Sequence, residues 1–322
     1  MLCGCGKGKT MAKSKRVSNF SSYMRRHWAL YGMLMLPILF FIIFSYWPMV
    51  NILIAFLTNN VIIPVTENPW ERWQGLANFR WLFDNIQFIQ AFRNTVVFSL
   101  LDLAIGFPMP IILALLLNEL KFARFKRITQ TITYMPFFLS WIIVGGLMIR
   151  LFRTETGAVN IFLMNYLGRS SGIPFLTNSN HWIFTNVFTA IWRSLGWNTI
   201  IYLAAITAVN PELYEAADLD GASRLRKMWH VSLPGIRPVI MTLLILTLGG
   251  IMGADMARFL ATENHLVRDA STVFPIFVFR WGIEGLQYHR AAAAGLFASI
   301  LNLIFLFAAN FISRKATGSG LW

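Results

Sequence analysis

Six long apolar runs, roughly 30–54, 95–117, 128–152, 183–209, 238–259 and 291–312, dominate this chain. Each is long enough to cross a bilayer core of ~30 Å, which takes ~20 helical residues. A water-soluble fold has no place for them, because 56% of the residues are hydrophobic and only 13% are charged. The runs therefore predict an all-α polytopic membrane protein with about six transmembrane helices. Pro37, Pro48, Pro108, Pro110, Pro136 and the pairs Gly145-Gly146 and Gly249-Gly250 fall inside the runs. They predict kinked helices whose freed backbone groups are satisfied by neighbouring helices.

Basic residues set the orientation, since Lys and Arg in short loops stay on the cytoplasmic side. Lys7, Lys9, Lys13, Lys15, Arg16, Arg25 and Arg26 precede the first run, and Lys121, Arg124, Lys126 and Arg127 follow the second. Both segments are expected inside, with both termini cytoplasmic. The first run outlasts a signal-peptide core and lacks a small-residue cleavage site, so it reads as a retained span. The expected organisation is a basic cytoplasmic tail over 1–27, a transmembrane domain over 28–312 and a cytoplasmic tail over 313–322. Cys3 and Cys5 are the only cysteines, both in the tail, and give no disulfide framework.

Chemistry is sparse. Gly8-Lys9-Thr10 ends like a phosphate-binding loop, yet Cys3 stands where its first glycine belongs and no strand precedes it. His27, His181, His230, His265 and His289 have no metal-ligand spacing, and no nucleophile triad or carboxylate pair can be read. No catalytic residue, metal, cofactor or nucleic-acid partner is expected in this chain.

A polar island of about 25 residues, 210–236, separates the fourth and fifth runs, and counting spans places it in the cytoplasm. Asn210 suits an N-cap and Pro211 the first helical position, Glu212 and Glu215 favour the positive helix end, and Gly221 allows a left-handed stop. Ser223 then caps a second helix through Arg224 and Trp229, which Pro234 is expected to end.

The spacing is more specific than the polarity. Glu215-Ala216-Ala217, three residues, Gly221, nine residues, Val231, one residue and Leu233-Pro234 resemble the EAA signature of permease subunits in bacterial ABC importers. Gly75-Leu76-Ala77-Asn78-Phe79, Phe92-Arg93-Asn94-Thr95, Leu117-Asn118-Glu119, Gly157-Ala158-Val159-Asn160 and Gly318-Ser319-Gly320-Leu321-Trp322 extend the likeness to polysaccharide-type permeases, relatives of the maltose and glycerol-3-phosphate permeases. The chain departs from that pattern at Gly253-Ala254-Asp255 and lacks a large periplasmic insertion. The resemblance implies a type I ABC importer permease fold in the bacterial inner membrane. It also implies that Glu215, Ala216, Ala217, Asp218, Gly221, Leu233 and Pro234 couple the membrane helices to an ATPase. Implied partners are a second, homologous permease, two ATPase subunits that bind ATP and Mg, and a periplasmic or lipid-anchored solute-binding protein, all amid membrane lipid.

Charges inside spans are costly and usually paired or functional. Asp102 and Arg193 both fall about 10 to 15 Å below the outer surface at ~1.5 Å per residue. They are expected to pair and fix helix packing, to line the substrate path, or to face an aqueous vestibule. Trp141, Trp192, Trp197 and Asn198 are candidates for a sugar-facing wall, since aromatic faces stack on sugar rings and amides bond hydroxyls. Outer and intramembrane arginines, among them Arg150, Arg153, Arg258, Arg268, Arg280 and Arg290, suit carboxylates and suggest an acidic, alginate-like oligosaccharide, as well as lipid headgroups or an acidic binding protein. The competing readings are an importer of glycerol phosphodiester or peptide, a channel, and a membrane-embedded sugar transferase.

Overall fold

The computed structural model describes Tyr23, residues 26–58, residues 72–318 and Gly320. The tail lysines, Cys3, Cys5 and Gly8-Lys9-Thr10 lie outside these residues. The described chain is helical, and its extended pairing is limited to one isolated bridge, Leu57 with Trp73. Two units are distinguished, one up to Leu53 and one from Ile54 onward.

In the first unit, α1 (Trp28–Phe41) passes through a π turn, Ile42–Tyr46, into a 3-10 stretch. None of the α1 residues is buried, and its apolar side chains show no preferred face. A helix that is hydrophobic all round belongs in lipid or inside a larger assembly.

The second unit is a helical bundle. α2 (Ala77–Asp84) leads to α3 (Ile86–Leu101), where the Asn85 side chain accepts from the N–H groups of Gln87 and Phe88. α3 continues through a π turn at Asp102–Gly106 into α4 (Pro108–Asn118), making one apolar rod, Ile86–Asn118, longer than the predicted run. Pro108 and Pro110 have no N–H to donate, and the wider π turn carries the helix past them.

The run predicted over 128–152 is not one helix. α5 (Ala123–Tyr134) and the turn Met135–Phe138 meet α6 (Trp141–Phe152) at an angle of 104°. Pro136 ends the first piece and Ser140 caps the second, its Oγ accepting from Ile143 N–H. After α7 (Ala158–Leu167), α8 (Ser179–Thr207) runs 29 residues.

The polar island forms α9 (Pro211–Leu219) and α10 (Arg224–Gly235), which bends 61° into α11 (Arg237–Gly249). The expectation that Pro234 ends the second helix is corrected. A π turn at Met228–Ser232 admits the proline, and the helix closes one residue later.

The run predicted over 238–259 is also interrupted: α11 stops at Gly249, and α12 (Met256–Thr262) begins beyond an unwound segment. Its freed backbone groups are satisfied from neighbours, as a membrane interior requires. Ser99 Oγ donates to Ile251 O at 2.6 Å, and Asn302 Oδ1 accepts from Met252 N–H at 3.0 Å. α13 (Phe274–Phe279), extended by a π turn at Arg280–Glu284, was not foreseen. It buries Phe274 and Phe277 against Phe88, Ala293 and Ala294. α14 (Tyr288–Thr317) closes the fold on Gly318.

Among the described residues three helices are long and apolar enough to cross a membrane, and the two bent pairs raise this to five. α8 makes a sixth by length, its apolar run being broken by Asn186, Arg193 and Asn198. Glycines set the closest helix approaches. A Cβ at Gly196 would lie 2.2 Å from Thr133 O, and one at Gly145 2.2 Å from Ala261 O.

Candidate functional site: the polar elbow and the intramembrane charges

The elbow is built from local signals. Asn210 Oδ1 accepts from Glu212 N–H at 3.1 Å, Ser223 Oγ accepts from Arg226 N–H at 3.4 Å, and Gly221 takes φ +69° between the two helices. That angle is strained for any residue with a Cβ. Two further links close the elbow: Tyr214 Oη to Ser232 Oγ at 2.9 Å, and Lys227 Nζ to Asp218 Oδ1 at 2.6 Å. Glu215, Ala216, Asp218, Gly221 and Pro234 face solvent, while Ala217 and Leu233 are half-buried. Leu213, Leu219, Leu225 and Trp229 are also exposed, Leu219 at 91%. The elbow thus presents an apolar patch beside a carboxylate on a rigid frame, which is a protein-docking chemistry rather than a catalytic one.

The intramembrane charges sort differently from expectation. Asp102 and Arg193 do not pair. Asp102 Oδ2 accepts from Arg258 Nη1 at 2.6 Å, and Arg258 Nε donates to Asn186 Oδ1 at 2.7 Å. Asn186 in turn donates to Thr262 Oγ1 at 2.9 Å. The Arg258 side chain is only 6% exposed, against 41% for Asp102, and its guanidinium lies over the rings of Phe98 and Phe259 at 5.5 and 5.1 Å. Arg258 was legible as a charge in a span, but its partner was not, because the unwound segment after Gly249 resets the helix phase.

Arg193 serves the other broken helix. Its Nε donates to Leu139 O at 3.0 Å, at the break between α5 and α6, and its guanidinium lies 4.8 Å from the Trp141 ring and 5.3 Å from the Phe137 ring. Trp141 is buried, and its indole N–H donates to Asp255 Oδ2 at 2.5 Å. Asp255 Oδ1 also caps α12. The departure at Gly253-Ala254-Asp255 therefore marks the unwound segment, with Asp255 tying it to α6. Trp197 stacks on Phe137 at 4.4 Å, and Trp192, Trp197 and Asn198 are exposed on α8. Of the proposed wall, Trp141 is enclosed and the other three remain on the surface of this chain. Among the described residues no cluster of His, Cys, Asp or Glu suits a metal.

Long apolar helices, a charge pair between Arg258 and Asp102 and an exposed polar elbow are the build of a membrane protein. Residues 106–318 match the family described as binding-protein-dependent transport system inner membrane component, and the chain belongs to that family. It is the permease component of an ABC importer, and its relatives place it among the carbohydrate permeases. It is 38% identical to Protein LplB of Bacillus subtilis, covering 97% of this chain and 96% of the relative. It is 39% identical to the polygalacturonan/rhamnogalacturonan transport system permease protein YteP of the same organism, covering 91% and 90%. A solved bacterial ABC transporter involved in the import of the acidic polysaccharide alginate superposes with a TM-score of 0.83 at 35% identity, covering 93% of this chain and 99% of that one.

Proposed function

We propose that this chain forms half of a translocation pathway for an acidic oligosaccharide, together with a second, homologous permease. The observation that carries the reading is the exposed, locally capped elbow of Glu215 to Pro234, in a chain whose relatives include carriers of acidic polysaccharides. Both termini and the elbow lie in the cytoplasm in this reading. Two ATPase subunits dock there, and they hold the ATP and Mg. Glu215, Ala216, Ala217, Asp218 and Gly221 with Leu233 and Pro234 transmit ATPase closure into α8 and α11, which the elbow joins directly. A solute-binding protein delivers the saccharide at the opposite membrane face. Asp102, Trp192, Trp197 and Asn198 line or border the path, while Arg193 and Trp141 hold its wall in place at the α5–α6 break.

Glu215→Lys tests the coupling without disturbing a packed side chain, and Gly221→Pro breaks the elbow at its left-handed residue. Both variants are expected to insert and assemble, yet to lose coupling between ATP hydrolysis and uptake in proteoliposomes. Normal uptake per ATP in both would sink the coupling assignment. Uptake of a uronate pentasaccharide by wild type tests the substrate class, and failure to carry it while a neutral oligosaccharide is carried would remove the acidic reading.

A further inference from the structure

At the end of the bundle opposite the elbow, the start of α3, the residues after α12 and the π turn after α13 enclose a cavity of about 480 Å³. That volume lies in the ~300–1,000 Å³ range of small-ligand sites. Its chemistry is concentrated in Gln87, Gln90, Arg268, Trp281, Glu284 and Gln287.

The donor pattern can be read without ambiguity at two of the glutamines. Trp281 Nε1 donates to Gln87 Oε1 at 3.1 Å, and Arg290 Nη1 donates to Gln287 Oε1. Indole and guanidinium groups only donate, so both amide oxygens are occupied and both NH2 groups remain to donate. Arg280 is already engaged, bidentate to Glu263 at 2.9 Å and bonded to Thr272 Oγ1 at 3.0 Å. Arg268 is exposed and has no ion-pair partner among the described residues. The carboxylates of Asp269 and Glu284 stand exposed at the mouth, where they can accept from hydroxyls.

The frame is stiff. Trp281 meets Trp81 edge-on at 4.7 Å, and the Arg290 guanidinium lies 4.0 Å from the Trp81 ring. Leu286, between the lining residues Gly285 and Gln287, takes φ 53°, and it is the one non-glycine residue with positive φ among the described residues. It is the left-handed residue that ends the π turn Arg280–Glu284, a common way for a helix to close. Here the bonds from Gly285 N–H to Arg280 O at 2.7 Å and from Gln287 N–H to Trp281 O at 2.9 Å make that closure.

We propose that this cavity is an entry subsite for a uronate-bearing saccharide: Arg268 pairs with a sugar carboxylate, Gln87, Gln90 and Gln287 bond ring hydroxyls, and Trp281 holds the Gln87 amide in place through its indole N–H. The inference rests on the carbohydrate reading above and adds a site at the mouth, separate from the midplane residues. A guanidinium fork matches a carboxylate, and three amides suit the alternating hydroxyls of a sugar better than they suit an apolar solute.

The test uses the complete transporter in lipid discs without solute-binding protein, titrated with a uronate pentasaccharide and with its carboxyl-reduced counterpart. Arg268→Gln is expected to weaken binding of the acidic saccharide about tenfold and leave the neutral one unchanged. Gln90→Ala, also remote from the folding core, is expected to weaken both. Unchanged binding in both variants overturns the subsite, as does wild type that binds neither saccharide. Unchanged saccharide binding with a raised half-stimulating concentration of solute-binding protein in the ATPase assay also overturns it, making the surface a protein contact. Uptake by wild type, measured separately with the solute-binding protein, decides the carbohydrate reading independently of these variants.

Discussion

The elbow at 210–236 and the charge cluster around Arg258 are both polar insertions in an apolar chain, and they are held in opposite ways. In the elbow, the fixing contacts stay within the island itself: Asn210 with Glu212, Ser223 with Arg226, Asp218 with Lys227 and Tyr214 with Ser232. At Arg258 the contacts reach back to Asp102 and Asn186, and the Arg193 contact reaches Leu139. The elbow is exposed, so its local bonds must hold it without help from the packed bundle. Arg258 is shut away from solvent, so its guanidinium needs partners from elsewhere in the chain. Local self-sufficiency goes with exposure, and long-range pairing with packing.

This contrast can be broken experimentally, beginning where the effect is largest. Asp102→Ala leaves the buried guanidinium of Arg258 without its counter-charge and is expected to destabilise the permease by about 3 kcal/mol, read as a lower thermal midpoint of the purified complex. The double variant Asp102→Ala with Arg258→Met is expected to recover most of that loss, and failure to recover would mean that Arg258 does more than pair. Gly196→Ala sets a Cβ against the Thr133 carbonyl, and about 1–3 kcal/mol of overpacking should follow in the same measurement. Gly221→Ala meets no neighbour, so only its left-handed backbone is penalised, by about 1 kcal/mol, with the melting of the bundle nearly unchanged. Asp218→Asn removes an ion pair whose acid is 60% exposed, and less than about 1 kcal/mol is expected, shrinking further in high salt. An elbow variant that melts the bundle, or an Asp102 variant that does not, would undo the contrast.

Several expectations failed for one shared reason. Kinks were expected in the runs 128–152 and 238–259 at Pro136 and at Gly249-Gly250, but hydropathy does not register that they go as far as dividing each run into separate helices. Both breaks survive because side chains far along the chain take up the freed backbone groups: Arg193 at Leu139, Ser99 and Asn302 at residues 251 and 252. The pairing of Asp102 with Arg193 assumed straight helices and a common depth. With α12 restarted by Asp255, Arg258 reaches Asp102 first. α13 escaped notice because Phe274–Phe279 is too short to read as a span, although it is buried in the core.

By itself the sequence determined the membrane class, the helical content, the family and the elbow with its caps and left-handed glycine. Each depends on composition or on residues within a few positions of one another, where backbone preference and spacing act directly. Only the tertiary structure decided which charge pairs with which, where the spans break, and that Gln87, Arg268 and Trp281 share one cavity. Those outcomes depend on helix phase and on contacts between residues 50 to 194 positions apart, which no local propensity encodes.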